Sequence, residues 1–427
     1  LGIDPASEAG QRIVHGAFEP YWRDSGLHPN DERSENIEYN RYLRNLGYEG
    51  KNPWHTHANG AIDEAGHFRS GWFNENVKYP ANIKEEHSET PYATSRAMEF
   101  IENASDQPWC LHLSYIKPHW PYIAPAPYHN MYGLEHIIPL NRDETEKENP
   151  HPVLGAFQKH LAAEGFSTTE MQEAVIPVYM GLIKQIDDQI GRLLDFLEAR
   201  GDLDNTFIVF TSDHGDYLGD HWLGDKDFFH EESVRVPLIV VDPRSEADAT
   251  RGTVETRLVE SIDYVPTFVD VMGGTPSHRL EGHSLIPLLH GHENVTWRDY
   301  VISEVDFSDR QANNFLDLPP VQCRTVMVRT ESWKYIAFNG FRPMLFDLEN
   351  DPQELQDLGA DPACEQIRQD MQANLADWSL QRHTQVSLSH QVFEERKWQY
   401  HREKIGVYIG FWSEDDLPDT VKQSKSQ

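Results

Sequence analysis

Thr206-Phe-Ile-Val-Phe-Thr-Ser-Asp-His-Gly-Asp216 is the stretch that decides the fold. Its first six residues are nearly all apolar, the pattern of a strand buried on both faces, as in a parallel sheet. Asp213-His214-Gly215 follows at the point where the strand should end. Pro237-Leu-Ile-Val-Val241 reads as a second strand of the same kind, and Ile262 to Met272 as a helix closed by Gly273-Gly274. Upstream, Ser167 to Arg200 predicts one long helix. Ser167 and Glu170 form a capping-box signature, and Ile183, Ile186, Ile190, Leu193, Leu194 and Leu197 form an apolar stripe. Pro177 is expected to kink or split that helix. Glu89 to Ala104 places Ala93, Ala97, Phe100 and Ile101 on one helical face, with Pro91 in the first turn, and Trp109 to Tyr115 reads as a strand. Helices alternating with buried strands predict an α/β domain with a mostly parallel central sheet flanked by helices. Residues 1–80 show little periodicity and read as long excursions on that scaffold.

Beyond about residue 298 the pattern changes. Val321–Val328, Trp333–Phe338 and Met344–Asp347 read as short strands, followed by an acidic helix near Cys364–Leu380. The expected organisation is a catalytic domain over 1–297, a small C-terminal α+β subdomain with an antiparallel sheet over 298–380, and an aromatic-rich arm over 381–427. Phe393, Trp398, Tyr400, Tyr408, Phe411 and Trp412 of the arm are expected to dock on its own domain or on a sister subunit, giving a homo-oligomer.

The 427 residues carry 37 Lys and Arg against 70 Asp and Glu, a formal charge of −33. Such a surface repels nucleic-acid phosphates and anionic membranes, so neither is an expected partner. A small anionic ester, by contrast, would need a local positive patch built from a metal ion and a few cations. Cys110, Cys323 and Cys364 are scattered and lack metal-site spacing, so they read as buried structural thiols. The low cysteine count points to the cytoplasm.

Asp213 and His214 sit at a strand end, where ligand sites of α/β sheets lie. A carboxylate and an imidazole side by side can reach one divalent cation; the alternative is a turn that Asp213 merely caps. Lys226, in Gly224-Asp-Lys-Asp-Phe-Phe-His230, offers a fixed ammonium for a substrate oxygen, or is a solvated surface lysine. Lys117-Pro-His119-Trp-Pro-Tyr122 is a rigid loop after the strand at 109–115. His119 there can donate a proton to a leaving-group oxygen, or can be a structural histidine bonded to backbone.

Thr211-Ser-Asp-His-Gly-Asp-Tyr-Leu-Gly-Asp-His-Trp222, Gly224-Asp-Lys-Asp-Phe-Phe229, Val234-Arg-Val-Pro-Leu-Ile-Val240 and Glu281-Gly-His-Ser-Leu-Ile-Pro-Leu-Leu289 resemble the C-terminal half of the sulfatase catalytic domain, of the alkaline-phosphatase superfamily. Phe346-Asp-Leu-Glu-Asn-Asp-Pro-Gln-Glu-Leu-Gln-Asp-Leu358 resembles that family's C-terminal subdomain. Leu113-Ser-Tyr-Ile-Lys-Pro-His-Trp-Pro-Tyr122 and Gly47-Tyr-Glu-Gly-Lys-Asn-Pro-Trp54 resemble phosphonate monoester hydrolases within it. The resemblance implies an alkaline-phosphatase-like fold and one divalent cation, Mn²⁺ or Ca²⁺, with Asp213 and His214 among its ligands. It implies that Lys226 binds the transferring sulfuryl or phosphoryl oxygens and that His119 faces the leaving group. The implied reaction is hydrolysis of phosphonate or phosphate esters, and of sulfate esters as well. A sulfatase of sugar or aryl sulfates and an inactive remnant with a binding role stay open. The family's nucleophile, a formylglycine made from Cys or Ser in a C/S-x-P-S-R motif, has no counterpart in these residues. The family's first strand, which supplies a further Asp ligand, is not seen either. Both are therefore expected in a segment upstream of Leu1, and the chain by itself is expected to be inactive.

Overall fold

The computed structural model describes residues 18–22, 29, 37–276, 280–381, 410 and 412–416. These fall into two compact units. One takes the described residues up to Ile137, Glu173–Ala199 and those between 405 and 423; the other takes Ile138–Gln172 and those between 200 and 404.

The first unit is organised by aromatic packing. Helix α1 (Glu38–Asn45) buries Tyr39 and Leu43, one turn apart on the same face. The Trp54 ring meets Tyr39 edge-on at 5.1 Å and 84°, and Tyr92 lies against both Tyr39 and Tyr42. The hairpin of β1 (Gly60–Ile62) and β2 (Phe68–Ser70) is closed by Asp63, whose Oδ1 accepts from the Ala65 and His67 amides at 3.0 and 2.8 Å. The stretch that reads as excursions thus contributes Tyr39, Leu43, Trp54 and Ala61 to a core completed by Ile123. Helix α2 (Glu89–Ala104) buries Ala93, Ala97 and Ile101, as its periodicity predicts.

Along Trp109–Tyr115 alternate residues are half-buried and exposed, but the stretch has no ladder partner among the described residues. The alternation of a strand is present without the hydrogen bonds that define one. Cys110 lies on its exposed side, so only Cys323 is the buried thiol expected of all three cysteines; Cys364 is intermediate.

Helix α3 (Thr169–Arg200) runs unbroken through Pro177. Its N-terminus is capped by Thr168, whose Oγ1 accepts from the Met171 amide at 3.3 Å. Ser167 instead donates to the Glu164 carbonyl at 2.6 Å and belongs to the preceding turn, which corrects the expected cap by one residue. The buried face carries Leu182, Gln185, Gln189 and Leu197, whereas Ile183 is exposed. Gln185 donates to Ser88 Oγ at 2.9 Å and Glu85 Oε1 at 3.0 Å, so the face turned inward is partly polar and hydrogen-bonded.

In the second unit, β3 (Ile208–Thr211) and β4 (Leu238–Val241) pair antiparallel, Ile208 opposite Val241. This corrects the expected parallel sheet. Residues 212–237 contain only a 3-10 turn, Asp220–Trp222, and a four-residue helix, Glu231–Val234, so no crossover helix returns the chain to the same end of the sheet. Neither strand is buried on both faces: Ile239 is 58% and Val241 40% exposed. Helix α4 (Tyr264–Val271) follows, and Tyr264 Oη lies 3.0 Å from Thr211 Oγ1 at the end of β3.

The remaining sheet is antiparallel as expected, with order β5 (Val301–Asp306), β6 (Arg324–Arg329), β7 (Trp333–Phe338), β8 (Met344–Asp347). Strand β5 was not legible in the sequence. Met327, Ile336, Met344 and Phe346 point to one face, where they pack with Tyr217, Leu223, Phe228 and Phe229. Val328, Tyr335 and Leu345 point to the other, under helix α5 (Glu365–Gln381) and its Met371. The sheet beyond residue 298 therefore shares a core with the segment that follows β3, and the two form one unit rather than meeting at a boundary near 297. Of the terminal arm, Trp412 accepts from the Glu75 amide at 3.1 Å within the first unit. Residues 382–409, 411 and 417–427 lie outside the described residues. No helix among the described residues is long and apolar enough to cross a membrane.

One buried cation fastens sheet to segment. Lys334 on β7 is fully buried, donates from Nζ to the Phe229 carbonyl at 2.8 Å, and lies 2.9 Å from Glu231 Oε1 and 2.7 Å from Glu354 Oε1. Removing it would leave the buried Glu354 carboxylate without its counter-charge and Glu231 with Arg329 alone, a loss of about 3–5 kcal/mol. Lys334→Ala is expected to lower the urea midpoint accordingly. Lys334→Ala with Glu354→Gln and Glu231→Gln should recover part of the loss, and an unchanged midpoint in the single variant would refute the assignment.

Candidate active site

At the end of β3 the chain turns through Ser212, whose Oγ donates to the His214 carbonyl at 2.8 Å. The His214 amide donates to Asp213 Oδ1 at 3.0 Å. His214 Nδ1 lies 2.7 Å from the Gly215 carbonyl, so the tautomer protonated there donates to it and turns Nε2 outward as the lone-pair nitrogen. Nε2 is then 3.5 Å from Asp213 Oδ2, and the Asp213 side chain is 85% exposed. One carboxylate oxygen and one imidazole nitrogen at that separation can both reach a single divalent cation placed between them. No group of three His, Cys, Asp or Glu gathers at one point among the described residues. The pair therefore supplies two donors of a shell that needs more. Gly215 is required by close approach: its amide donates to the Ser233 carbonyl at 2.8 Å, and a Cβ there would run into the Glu232 carbonyl.

From Tyr217 to His230 the chain folds back on itself. The Tyr217 amide donates to the Asp225 carbonyl at 3.0 Å and the Gly219 amide to the Leu223 carbonyl at 2.9 Å. Leu218, His221, Trp222 and Asp225 all take positive φ, between 48° and 63°. Each such non-glycine residue costs on the order of 1–3 kcal/mol, and persists only where the surroundings over-determine it. Here they do: Tyr217, Leu223, Phe228 and Phe229 are core residues, and the Trp222 ring is held between the Arg142 guanidinium at 4.0 Å and the Lys147 ammonium at 3.5 Å. Lys226 emerges from this segment, mostly covered. Its carbonyl accepts from Ser233 Oγ at 2.6 Å, and its Nζ lies 3.5 Å from Asp225 Oδ1.

Beneath the segment lies a buried charge. His221 Nδ1 is 2.7 Å from Glu146 Oε1 and Nε2 is 3.4 Å from Glu232 Oε2, with the imidazole wholly inaccessible. Burial pulls the imidazolium down, but the hydrogen bonds and charges of the two carboxylates outweigh it and raise its pKa to about 9. His230 stacks on it at 3.9 Å and 7°. Burial first, then the charges of His221 and Lys334, hold His230 well below the ordinary histidine range, so it stays neutral. Asp220 accepts from the Asn141 amide at 2.7 Å, yet burial raises its carboxyl to about 6.

His119 belongs to the other unit, half-buried in the Lys117–Tyr122 loop. Its amide donates to the Ile116 carbonyl at 3.1 Å and its Nδ1 lies 3.0 Å from the Trp120 carbonyl. Asp213, His214 and Lys226 thus lie in one unit, the pair at the end of β3 and the lysine in the locked segment that follows, and His119 lies in the other unit. Sequence reasoning assigned nothing to Tyr217, Asp220 or His221, and did not see Asn141, Glu146, Glu232 or His230. The Asp220-His221 dipeptide was visible, but its partners lie far away in the chain, and nothing local marks Glu146 among the acidic residues around it.

The sulfatase family model matches residues 30–274, and a model of the C-terminal region of N-sulphoglucosamine sulphohydrolase matches 219–381. The multifunctional alkaline phosphatase superfamily protein PehA of Trinickia caryophylli is 35% identical over 327 residues, 73% of this chain and 63% of that protein. An arylsulfatase of Clostridium perfringens is 30% identical over 66% of this chain and 56% of its own length. The chain thus spans between about half and just under two thirds of the curated relatives it matches. Among solved structures, the phosphonate monoester hydrolase of Silicibacter pomeroyi superposes with a TM-score of 0.77 at 25% identity, over 91% of this chain and 77% of that one. That of Agrobacterium radiobacter gives 0.73 at 27%, over 89% and 75%.

The His221 charge makes stability depend on pH. Because its folded pKa lies above the ordinary 6.5, its stabilisation is complete below pH 6.5 and is lost as pH rises through about 9. Asp220 acts in the same direction lower down, its contribution fading as pH climbs from 3.8 through about 6. His221→Gln is expected to lower stability by about 3–5 kcal/mol at pH 6, and to flatten the fall in thermal midpoint between pH 6.5 and 9. Equal slopes in the variant and the parent would refute the buried imidazolium.

Proposed function

The chain belongs to the sulfatase family, and from that premise we propose that the protein it represents hydrolyses phosphonate or phosphate esters at a divalent-metal centre. The observation that carries this is the pairing of Asp213 Oδ2 and His214 Nε2 at the end of β3, with Lys226 rising from the locked segment that follows. Likeness to two phosphonate monoester hydrolases over about nine-tenths of the chain supports the substrate class.

In this reading Asp213 and His214 hold Mn²⁺ or Ca²⁺, which when bound supplies Lewis-acid polarisation of the ester oxygens. The chain's own residues do the rest. His214 is oriented by the Gly215 carbonyl, so its lone pair need not be arranged at the moment of binding. Lys226 sets an ammonium against charge developing on the transferring oxygens, and its carbonyl is pinned by Ser233, which limits how far that charge can drift. His119 supplies the proton to the departing oxygen. None of the three cysteines stands in a C-x-P-S-R context and no Ser-x-Pro-Ser-Arg occurs, so in this reading the formylglycine nucleophile comes from residues other than these 427. Sulfate esters are the competing substrate, favoured by relatives named arylsulfatase and choline-sulfatase at 30% and 29% identity.

Two expectations follow from the division of labour. Titration calorimetry of the 427-residue chain with Mn²⁺ should show binding that Asp213→Ala and His214→Ala each weaken by about tenfold or more; unchanged affinity in both would remove the metal assignment. The chain alone should not turn over aryl phosphonates or aryl sulfates, since loss of a nucleophile costs roughly six orders of magnitude in a well-studied hydrolase. Joined to a segment carrying the C-x-P-S-R motif it should turn over aryl phosphonate faster than aryl sulfate, with Lys226→Ala lowering kcat on the order of 10²–10³-fold. Full activity in Lys226→Ala would sink the role given to that residue.

A further inference from the structure

Beside the His119 loop the first unit buries a second ionisable pair that the chemistry above does not use. Lys117, two residues before His119, is only 8% exposed. Its Nζ donates to the Pro121 carbonyl at 2.7 Å and to Asn59 Oδ1 at 3.2 Å. The first of these bonds spans the loop from one side of His119 to the other, so the ammonium closes residues 117–121 into a ring with His119 at its turn. Asn59 ties that ring to the segment preceding β1. Glu89, at the first turn of α2, is 6% exposed and carries the counter-charge. Its Oε2 accepts from Trp54 Nε1 at 2.7 Å, while its Oε1 has no protein partner. Burial pulls the Lys117 ammonium down to about 8, with Glu89 acting against it, and burial raises the Glu89 carboxyl.

A carboxylate oxygen left bare in so dry a place costs on the order of 1–3 kcal/mol or more. The structure offers the remedy. Lys117, Glu89, Asn59, Ser88 and Gln185 line a cavity of about 10 Å³, close to the smallest volume that holds one water, and polar enough to keep it. An ammonium has three donors and Lys117 places two on protein acceptors, so a water there can take the third and donate to Glu89 Oε1.

We propose that Lys117 is the positioning residue of His119, and that one internal water shared with Glu89 completes the clasp. A lysine needed only to cover apolar surface would keep its ammonium in water. Here the charge is drawn inward, at the cost of desolvation, to grip the carbonyl on the far side of the histidine. The role in the reaction rests on the reading that His119 serves the leaving group; the geometric claim does not.

The test uses the full chain labelled with ¹³Cε1-histidine, with the His119 resonance identified by its disappearance in His119→Gln. In Lys117→Met the resonance should shift and broaden, and its titration midpoint should move by roughly half a pH unit or more. The His221 resonance should stay where it was, and Lys117→Arg, which keeps charge and donors, should return His119 towards its original position. An unmoved His119 resonance and midpoint in folded Lys117→Met would overturn the proposal. If that variant does not fold, the near-isosteric Glu89→Gln decides in its place: movement of His119 supports the clasp and immobility overturns it. Ester turnover surviving His119→Gln in the chain joined to its nucleophile segment would count against the reading of function alone. The spectra would still judge the clasp.

Discussion

A protonated imidazole with no access to water is what the second unit is built around. His221 can keep its charge only because Glu146 and Glu232 approach both ring nitrogens; either carboxylate alone would leave one polar edge desolvated and unmatched. That requirement ties the loop around Glu146 to a distant stretch of chain, the segment 217–230 and the short helix directly after it that carries Glu232. The neutral His230 stacked on the ring and the Lys334 ammonium beyond it extend the same arrangement into the C-terminal sheet. A site that must hold Lys226 steady gains a rigid floor from residues that never meet a substrate.

The backbone above that floor is strained in a way the packing makes intelligible. Four non-glycine residues with positive φ within 218–225 would relax if the segment were free. It is not free, because Tyr217 and the Phe228-Phe229 pair are driven into the core shared with Met327, Ile336 and Phe346. The apolar anchors at either end set the length available, and the residues between must turn tightly to fit it. Hydrophobic burial, worth about 1.5–3 kcal/mol for each large side chain, is the term that offsets the strained turns. This also explains why the C-terminal sheet cannot be read as an appendage: one of its faces is the other half of the core on which the site segment rests.

What the sequence made legible follows from what local patterns encode. Helix α2 appeared where its periodicity put it, because it buries a single face and a period of 3.6 reports that directly; strands β7 and β8, covered on both faces, were legible as short apolar runs instead. Asp213-His214-Gly215 was recognisable because strand, turn and candidate ligands are consecutive. The pairing of β3 with β4 was not legible. Apolar runs such as Ile208–Phe210 and Leu238–Val241 look the same whether neighbours run parallel or antiparallel, and the chain between them decides by lacking a crossover helix. The stripe on α3 misled for a related reason: apolar spacing nominates a face, but Gln185 and Gln189 show that hydrogen-bonded polar groups can take the buried side. The ring around His221 was invisible because a charge and its partners need not be near in sequence.

The electrostatics set a condition that any anionic ester must meet. The chain carries a formal charge of −33, and Lys226, the cation given a part in the proposed chemistry, stands 3.5 Å from the Asp225 carboxylate. An ammonium partly neutralised in this way can recognise oxygens at short range, but it cannot draw an anion through a repelling field. Asp213, 85% exposed, adds a further negative charge at the strand end. On the protein's own charges the site therefore repels what it is proposed to bind. A divalent cation between Asp213 and His214 would reverse that sign locally, since it brings two positive charges to a pair that supplies one negative and one neutral donor. On the proposed reading, the charge distribution favours metal binding ahead of substrate, with Lys226 contributing geometry more than attraction.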